Sequence, residues 1–252
     1  MTWCALLLLG WAATDLAFSA TRRPRLAEAL GAATVLGGAA LIGIGPDSSG
    51  PQVVAVIVLA VLVVAWGESV TLGFGRRRPL LPLAVAGGSL LGVLLVAGHA
   101  PDAGGPWRTW VLDAAPRVIA DLGPDRALAV LGAVAVQFAT GNVLVRLVLA
   151  VSGTTHPLRS AHHPLPASPL KGGRLLGPLE RVFLLGLGLA GDLTAAGVVI
   201  AAKGLLRFPE LQAARRPARG RTTPDIHEIT EYFLVGSFVS WSVAFTALVL
   251  VA

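Results

Sequence analysis

Long apolar runs, separated by short polar stretches, divide the sequence. The runs show no alternation of apolar and polar positions, and several reach the length of about 20 residues that a helix needs to cross a bilayer. Lipid admits only helices or closed barrels as spanning structures. The pattern therefore predicts an all-α fold, a polytopic transmembrane helix bundle of about eight hydrophobic helices. The apolar runs fall at 3–20, 27–45, 52–72, 80–98, 126–151, 175–190, 193–207 and 229–251.

The same pattern predicts three regions. Residues 1–151 form a five-helix transmembrane region, 152–174 a Pro-rich cytoplasmic linker, and 175–252 a helical hairpin plus a final transmembrane helix. Gly191 and Asp192 interrupt the hairpin, since Gly is suited to end one helix and Asp to cap the next. Each arm of the hairpin has about 15–17 residues and reaches about 23–25 Å. The hairpin is therefore either a crossing of a thinned bilayer or a re-entrant segment.

Charge is scarce and unevenly placed. Only 13% of the residues are charged, against about 25% in an ordinary soluble domain, and the mean hydropathy is +0.73. The net charge of +6 comes from basic clusters that occur in every second loop. This alternation is the pattern that orients a membrane protein, so the net charge does not indicate a nucleic-acid partner. We expect a bacterial cytoplasmic-membrane protein with the N-terminus and C-terminus outside. The loops expected inside are 21–25, 73–79, 152–174 and 208–227.

The sequence contains no motif for catalysis, a cofactor or a metal. The single cysteine, Cys4, cannot form an internal disulfide. His156, His162 and His163 lie in the linker without a nearby Cys or acidic partner, so their spacing matches no familiar metal site. A P-loop, an HExxH helix and a serine nucleophile motif are all absent. We therefore expect no catalytic residue, metal or cofactor, and the sequence favours a non-enzymatic function.

Charged and polar residues inside the apolar runs are the candidates for function, because an unpaired charge in hydrocarbon costs several kcal/mol. Asp15 and Glu68 lie near the cytoplasmic ends of outside-to-inside helices, where an acid opposes the helix dipole. Glu180 and Lys203 lie equally far from the hairpin turn, so they either pair or act as separate interfacial anchors. In the predicted topology the candidates share the cytoplasmic third, which indicates a polar cavity facing the cytoplasm or, alternatively, the lower cost of polar residues near helix ends. The candidates are Asp15, Glu68, Asn142, Arg146, Glu180, Arg181, Lys203, Arg207 and Glu231.

Residues 171–245 contain several short motifs in a fixed order. They read GRLLG at 173–177, LER at 179–181, IAAK at 200–203, RF at 207–208 and EYFLVGS at 231–237, followed by Ser240. In order and spacing this stretch resembles the C-terminal part of a family of bacterial multi-pass membrane proteins described only as a domain of unknown function. Ser237 stands where that family has Thr. The resemblance implies that the hairpin is a unit, and it implies no activity.

Three functions are compatible with this sequence. The first is a transport or channel-like protein with a cytoplasm-facing polar cavity. The second is a structural or regulatory membrane partner whose basic stretch contacts anionic lipid or a cytosolic protein. The third is an enzyme acting on a lipid or a phosphorylated headgroup at the inner leaflet, with Lys203, Arg207 and Arg181 as anion ligands. Membrane lipids, including anionic headgroups, are the expected partners, and a protein partner or a homo-oligomer is left open.

Overall fold

A computed structural model describes residues 1–45, 48–154, 173–214 and 226–251. Within these ranges the ordered elements are all helices, which confirms the predicted all-α class. A short 3₁₀ turn, Ala97–His99, follows α4. The α-helices are α1 (Thr2–Thr21), α2 (Pro24–Leu41), α3 (Gly50–Gly75), α4 (Leu80–Leu95), α5 (Gly105–Asp113), α6 (Arg117–Ala120), α7 (Pro124–Phe138), α8 (Thr140–Val151), α9 (Gly173–Leu189), α10 (Leu193–Ala214) and α11 (Ile226–Val251).

Helix α1 is the centre of the bundle. It is apolar on nearly every side, which is typical of a helix surrounded by other helices, and most of its residues from Thr2 to Asp15 are buried. Helices α2 and α7 flank it, and α3 packs against both α1 and α2. Glycines allow the closest approach: a Cβ atom on Gly31 of α2 would lie 1.9 Å from the Oγ1 atom of Thr14. The first three helices therefore form a tightly packed unit.

The turns follow from the residues at the helix ends. Arg22 ends α1 in the left-handed conformation, with φ of 58°, and Pro24 starts α2 with the fixed backbone angle that suits a first helical position. In the hairpin, Gly191 has φ of 79° and the Oδ1 atom of Asp192 accepts a hydrogen bond from the Ala195 amide at 2.9 Å. The predicted helix stop and N-cap are therefore present. Helix α10 extends seven residues beyond the predicted end of its apolar run.

The apolar run 126–151 is not the single helix that the sequence predicts. It divides into α7 and α8 at Ala139, and the two helices are bent by 51° relative to each other. The bend lies where Thr140, Gly141 and Asn142 interrupt the apolar residues. Glycine is a weak helix former, and the short polar side chains compete for backbone hydrogen bonds, so this point favours a break.

Each of the eight predicted apolar runs forms a helix, as expected, but fewer than eight of these helices are long enough to cross a bilayer alone. In the described part of the chain three helices are long and apolar enough to cross a membrane, namely α1, α3 and the Thr230–Val251 part of α11, and α7 with α8 as one bent span would be a fourth. Helices α4 and α9 have only 16 and 17 residues. Helix α2 is less apolar because Arg25 and Glu28 lie on it. The spans nevertheless make the chain an integral membrane protein.

Candidate functional site

A cavity of about 820 Å³ lies between α1, α2, α3, α8, α9 and α11. It lies at the end of the bundle where α1 ends and α2 begins. We call this the basic end, because Arg22, Arg23 and the arginines that follow α3 lie there. The polar residues that line the cavity include Thr14, Asp15, Arg22, Glu28, Asn142 and Arg146. The structure therefore brings Asp15, Asn142 and Arg146, three of the sequence candidates, to one cavity.

Asp15 belongs to α1, and its side chain contacts the start of α8. Its side chain is buried, and its Oδ2 atom accepts hydrogen bonds from Trp66 Nε1 at 3.2 Å and from Thr140 Oγ1 at 2.6 Å. Thr140 is the first residue of α8, and the amino end of a helix carries the positive end of its dipole. The carboxylate is therefore held by neutral donors at a place where negative charge is favoured.

Arg181 belongs to α9, and its side chain contacts the other side of the break, at the end of α7. It is only 1% exposed, and its Nε and Nη2 atoms donate to the Gln137 carbonyl at 3.2 and 2.6 Å. Nη2 also donates to Asn142 Oδ1 at 2.8 Å, and Nη1 donates to Ser240 Oγ at 3.2 Å. A carbonyl in the last turn of a helix lacks a partner within the helix, so the guanidinium supplies the missing donors. Gly141 leaves the space, since a Cβ atom there would lie 2.6 Å from Arg181 Nε.

The two halves of the broken helix are therefore held by charges from two other helices. Arg181 on α9 binds the carbonyl end of α7, and Asp15 on α1 binds the first residue of α8. Both charges match the dipole of the helix end that they contact. In membrane bundles, discontinuous helices are tolerated where they line a cavity, and their ends are common binding points for solutes and ions. The arrangement can present polar groups deep within an apolar bundle.

Glu28 on α2 is a cavity residue that the sequence analysis missed. Its side chain is 6% exposed, and its Oε1 atom has no hydrogen-bond partner among the described residues. Gly67 of α3 gives it room, because a Cβ atom there would lie 2.6 Å from Glu28 Cγ. Glu28 lies in the early turns of α2, where an acid complements the helix dipole, so the dipole argument does not single it out. The signal that could have identified it is an acid within the apolar run 27–45.

The other candidates on this side have more exposed positions. Arg146 lines the cavity, and its guanidinium carbon lies 4.8 Å from the centre of the Phe74 ring. Glu68 is exposed and does not line the cavity. Glu231 is also exposed, while its neighbour Tyr232 lines the wall. The candidate Arg207 has a side chain outside the described residues.

Glu180 and Lys203 form the predicted contact in the hairpin. Lys203 Nζ donates to Glu180 Oε2, and the Nε1 atom of Trp241 on α11 donates to Glu180 Oε1 at 3.1 Å. Lys203 Nζ also lies 5.9 Å from the centre of the Trp241 ring. These residues do not line the cavity. They form a second polar cluster, which joins the hairpin to α11.

Comparison with known proteins adds nothing to this description. No family model, no curated protein and no solved structure matches the chain.

Proposed function

We propose that the protein transports a small charged solute across the membrane, as a carrier or a channel-like protein, and that the cavity at the basic end is its solute site. The observation that carries this proposal is the placement of the buried acid Asp15 in the wall of the cavity, at the start of α8. A cavity of about 820 Å³ is within the range of about 300–1,000 Å³ that is typical of small-molecule sites.

The free-energy cost of forming this site also supports a functional role. A carboxylate within an apolar bundle and a helix broken in mid-run are both unfavourable unless other groups compensate them. Here the compensating groups come from separate helices, since Trp66 belongs to α3 and Arg181 to α9. A protein that only scaffolds the membrane does not need such a site. In an integral membrane protein, buried polar groups of this kind commonly mark a solute or ion pathway.

We further propose that the cavity opens to the cytoplasm of a bacterial cell and that both ends of the chain lie outside. The support is the positive-inside rule, because Arg22 and Arg23 lie beside the cavity and Arg76 to Arg78 lie at the same end of α3. The orientation does not depend on whether the hairpin crosses the bilayer or is re-entrant, because either arrangement returns the chain to the same side.

The enzymatic alternative has less support. It requires Lys203 and Arg181 as ligands of a phosphate or a similar anion, but Lys203 pairs with Glu180. The Arg181 donors bind Gln137, Asn142 and Ser240. Both cations are thus engaged within the chain.

Transport is tested with the full chain reconstituted in liposomes on a solid-supported membrane, where charge movement is recorded for a panel of small charged solutes. We expect at least one solute to give a current that Asp15→Asn reduces about tenfold or more, because the amide keeps an acceptor oxygen for Trp66 and Thr140 but removes the charge. Asp113→Asn is the matched control, since Asp113 is an exposed aspartate that does not line the cavity. Currents that are absent for every charged solute, or equal in Asp15→Asn and the wild type, would contradict the proposal.

A further inference from the structure

Deepening the proposed function, on which it rests, we propose that the cavity binds a small organic cation, an ammonium or guanidinium compound with several N–H donors, and that Glu28 and Asp15 are its binding residues. The observations are the unsatisfied Glu28 oxygen, the charge balance of the buried acids and the aromatic wall of the cavity.

The Glu28 carboxylate needs a donor. Its side chain is buried and lines the cavity, and Oε1 has no partner within the part of the chain that the structure describes. An unmade hydrogen bond is costly for a buried group and more costly for a charged one. The Glu28 carboxylate is repelled by the charge of Glu68 and attracted by the charge of Arg25, so these two influences oppose each other. A ligand with N–H donors that binds where Glu28 lines the cavity would give this carboxylate a hydrogen-bond partner.

The two buried acids also need positive charge. Asp15 accepts hydrogen bonds from Trp66 and Thr140, which are neutral. Among the described residues neither Asp15 nor Glu28 forms a salt bridge. The cavity wall also contains Arg22 and Arg146, but neither forms a salt bridge with these acids, and Arg146 lies over the Phe74 ring. A ligand cation in the cavity would therefore supply the direct ionic partner that both carboxylates lack among the described residues.

The shape and the lining of the cavity favour an organic cation over a metal ion. A metal ion is held by several ligands at short range, and no group of three or more His, Cys, Asp or Glu side chains is present among the described residues. The walls include the aromatic rings of Phe18, Phe74 and Phe138. The face of an aromatic ring attracts a desolvated cation, and the Arg146 guanidinium shows that one of these rings already accepts one.

The test is equilibrium binding to the full chain in lipid nanodiscs by isothermal titration calorimetry. The probes are ethylguanidinium chloride, the neutral analogue ethylurea, which has nearly the same shape, and sodium chloride. We expect ethylguanidinium to bind and ethylurea to bind at least about tenfold more weakly. Glu28→Gln should weaken ethylguanidinium binding about tenfold or more, because it replaces a charged acceptor by a neutral one of the same size. Asp113→Asn, at an exposed acid outside the cavity, should change binding less than about twofold.

The results also separate this inference from the proposed function. Equal binding of ethylurea and ethylguanidinium, equal binding by wild type and Glu28→Gln, or saturable binding of sodium alone would each overturn the inference. Currents from an anion, with no ethylguanidinium binding, would leave transport standing and reject the cation. Ethylguanidinium binding without current for any solute would support the site and reject transport. Asp15→Asn is a second variant for the same titration, if Glu28→Gln fails to fold.

Discussion

Arg181 shows how one buried side chain can fix a helix break. Its planar guanidinium presents several N–H groups in a rigid fork, and here they reach a backbone carbonyl, an amide oxygen and a hydroxyl on three different elements. Lysine has a single ammonium group and cannot reproduce this geometry. Only arginine can therefore reach all three acceptors from this position.

The first prediction is that Arg181→Met lowers the free energy of unfolding by about 3 kcal/mol, because it leaves Gln137 O and Asn142 Oδ1 without their charged donor in a buried place. Arg181→Lys should recover only part of the loss. Arg146→Met, at an exposed cation of the same cavity, should change stability by less than about 1 kcal/mol. Reversible unfolding in mixed micelles, followed by tryptophan fluorescence, measures all three. Equal stability of Arg181→Met and wild type would contradict the role of this residue.

The second prediction compares two glycines. Gly141→Ala should lower stability by about 1–3 kcal/mol, because the new Cβ atom would lie 2.6 Å from Arg181 Nε and displace the guanidinium from its acceptors. Gly88→Ala in the middle of α4 meets nothing within 4 Å, and alanine is the better helix former. It should leave stability unchanged or raise it by up to about 1 kcal/mol. The same fluorescence assay applies, and a loss of similar size in both variants would show that contact with Arg181 is not the cause.

At this scale the sequence predicts some positions of the site and misses others. Asp15 stands out because an acid there opposes the dipole of α1, and the structure places it in the cavity. Glu28 is not singled out in this way, because it lies near the start of α2, where an acid complements the helix dipole. The acceptors of Arg181 could not be predicted, because Gln137 and Ser240 reach it only through the packing of α7 and α11 against α9.

Among the elements, the hairpin is the one whose geometry the sequence predicts best. Gly191 and Asp192 set the fold-back point by their own conformational preferences, and the equal lengths of the arms set the register that joins Glu180 to Lys203. The break between α7 and α8 is different. Thr140, Gly141 and Asn142 weaken the helix locally, but the residues that contact the two helix ends at the bend, Arg181 and Asp15, are distant in sequence.

The third prediction concerns the Glu180–Lys203 pair. The two side chains are 11% and 23% exposed, so the cost of breaking the pair should lie between about 1 kcal/mol for an exposed pair and about 3–5 kcal/mol for a fully buried one. Glu180→Gln or Lys203→Met alone should lower stability, and the charge swap Glu180→Lys with Lys203→Glu should restore part of it. A double-mutant cycle on unfolding free energies measures the coupling. Silent single variants would mean that both residues are solvated anchors.

At the scale of the whole molecule, the fold class and the positions of the helices follow from hydropathy alone, and the number of bilayer-length spans does not. Helices α4 and α9 reach about 24–26 Å, less than the bilayer thickness of about 30 Å. The stability of such short helices in a membrane depends on packing against neighbouring helices. Helix α9 buries Arg181 against α7 and α11, so it is part of the packed bundle even though its own length is short of a crossing.

The last prediction tests the orientation of the bundle with two cysteines, each introduced in a Cys4→Ala background. Gly75 at the end of α3 and Gly98 after α4 lie at opposite ends of the 16-residue helix α4, about 24 Å apart along its axis. A Cβ atom at either position meets nothing within 4 Å, so Gly75→Cys and Gly98→Cys should be tolerated, and neither removes a charge. In intact bacterial spheroplasts a membrane-impermeant maleimide should label Gly98→Cys at once and Gly75→Cys only after permeabilisation. The reverse result would place the cavity on the outer face, because Gly75 lies at the same end as Arg22, and the positive-inside argument would then fail for this chain.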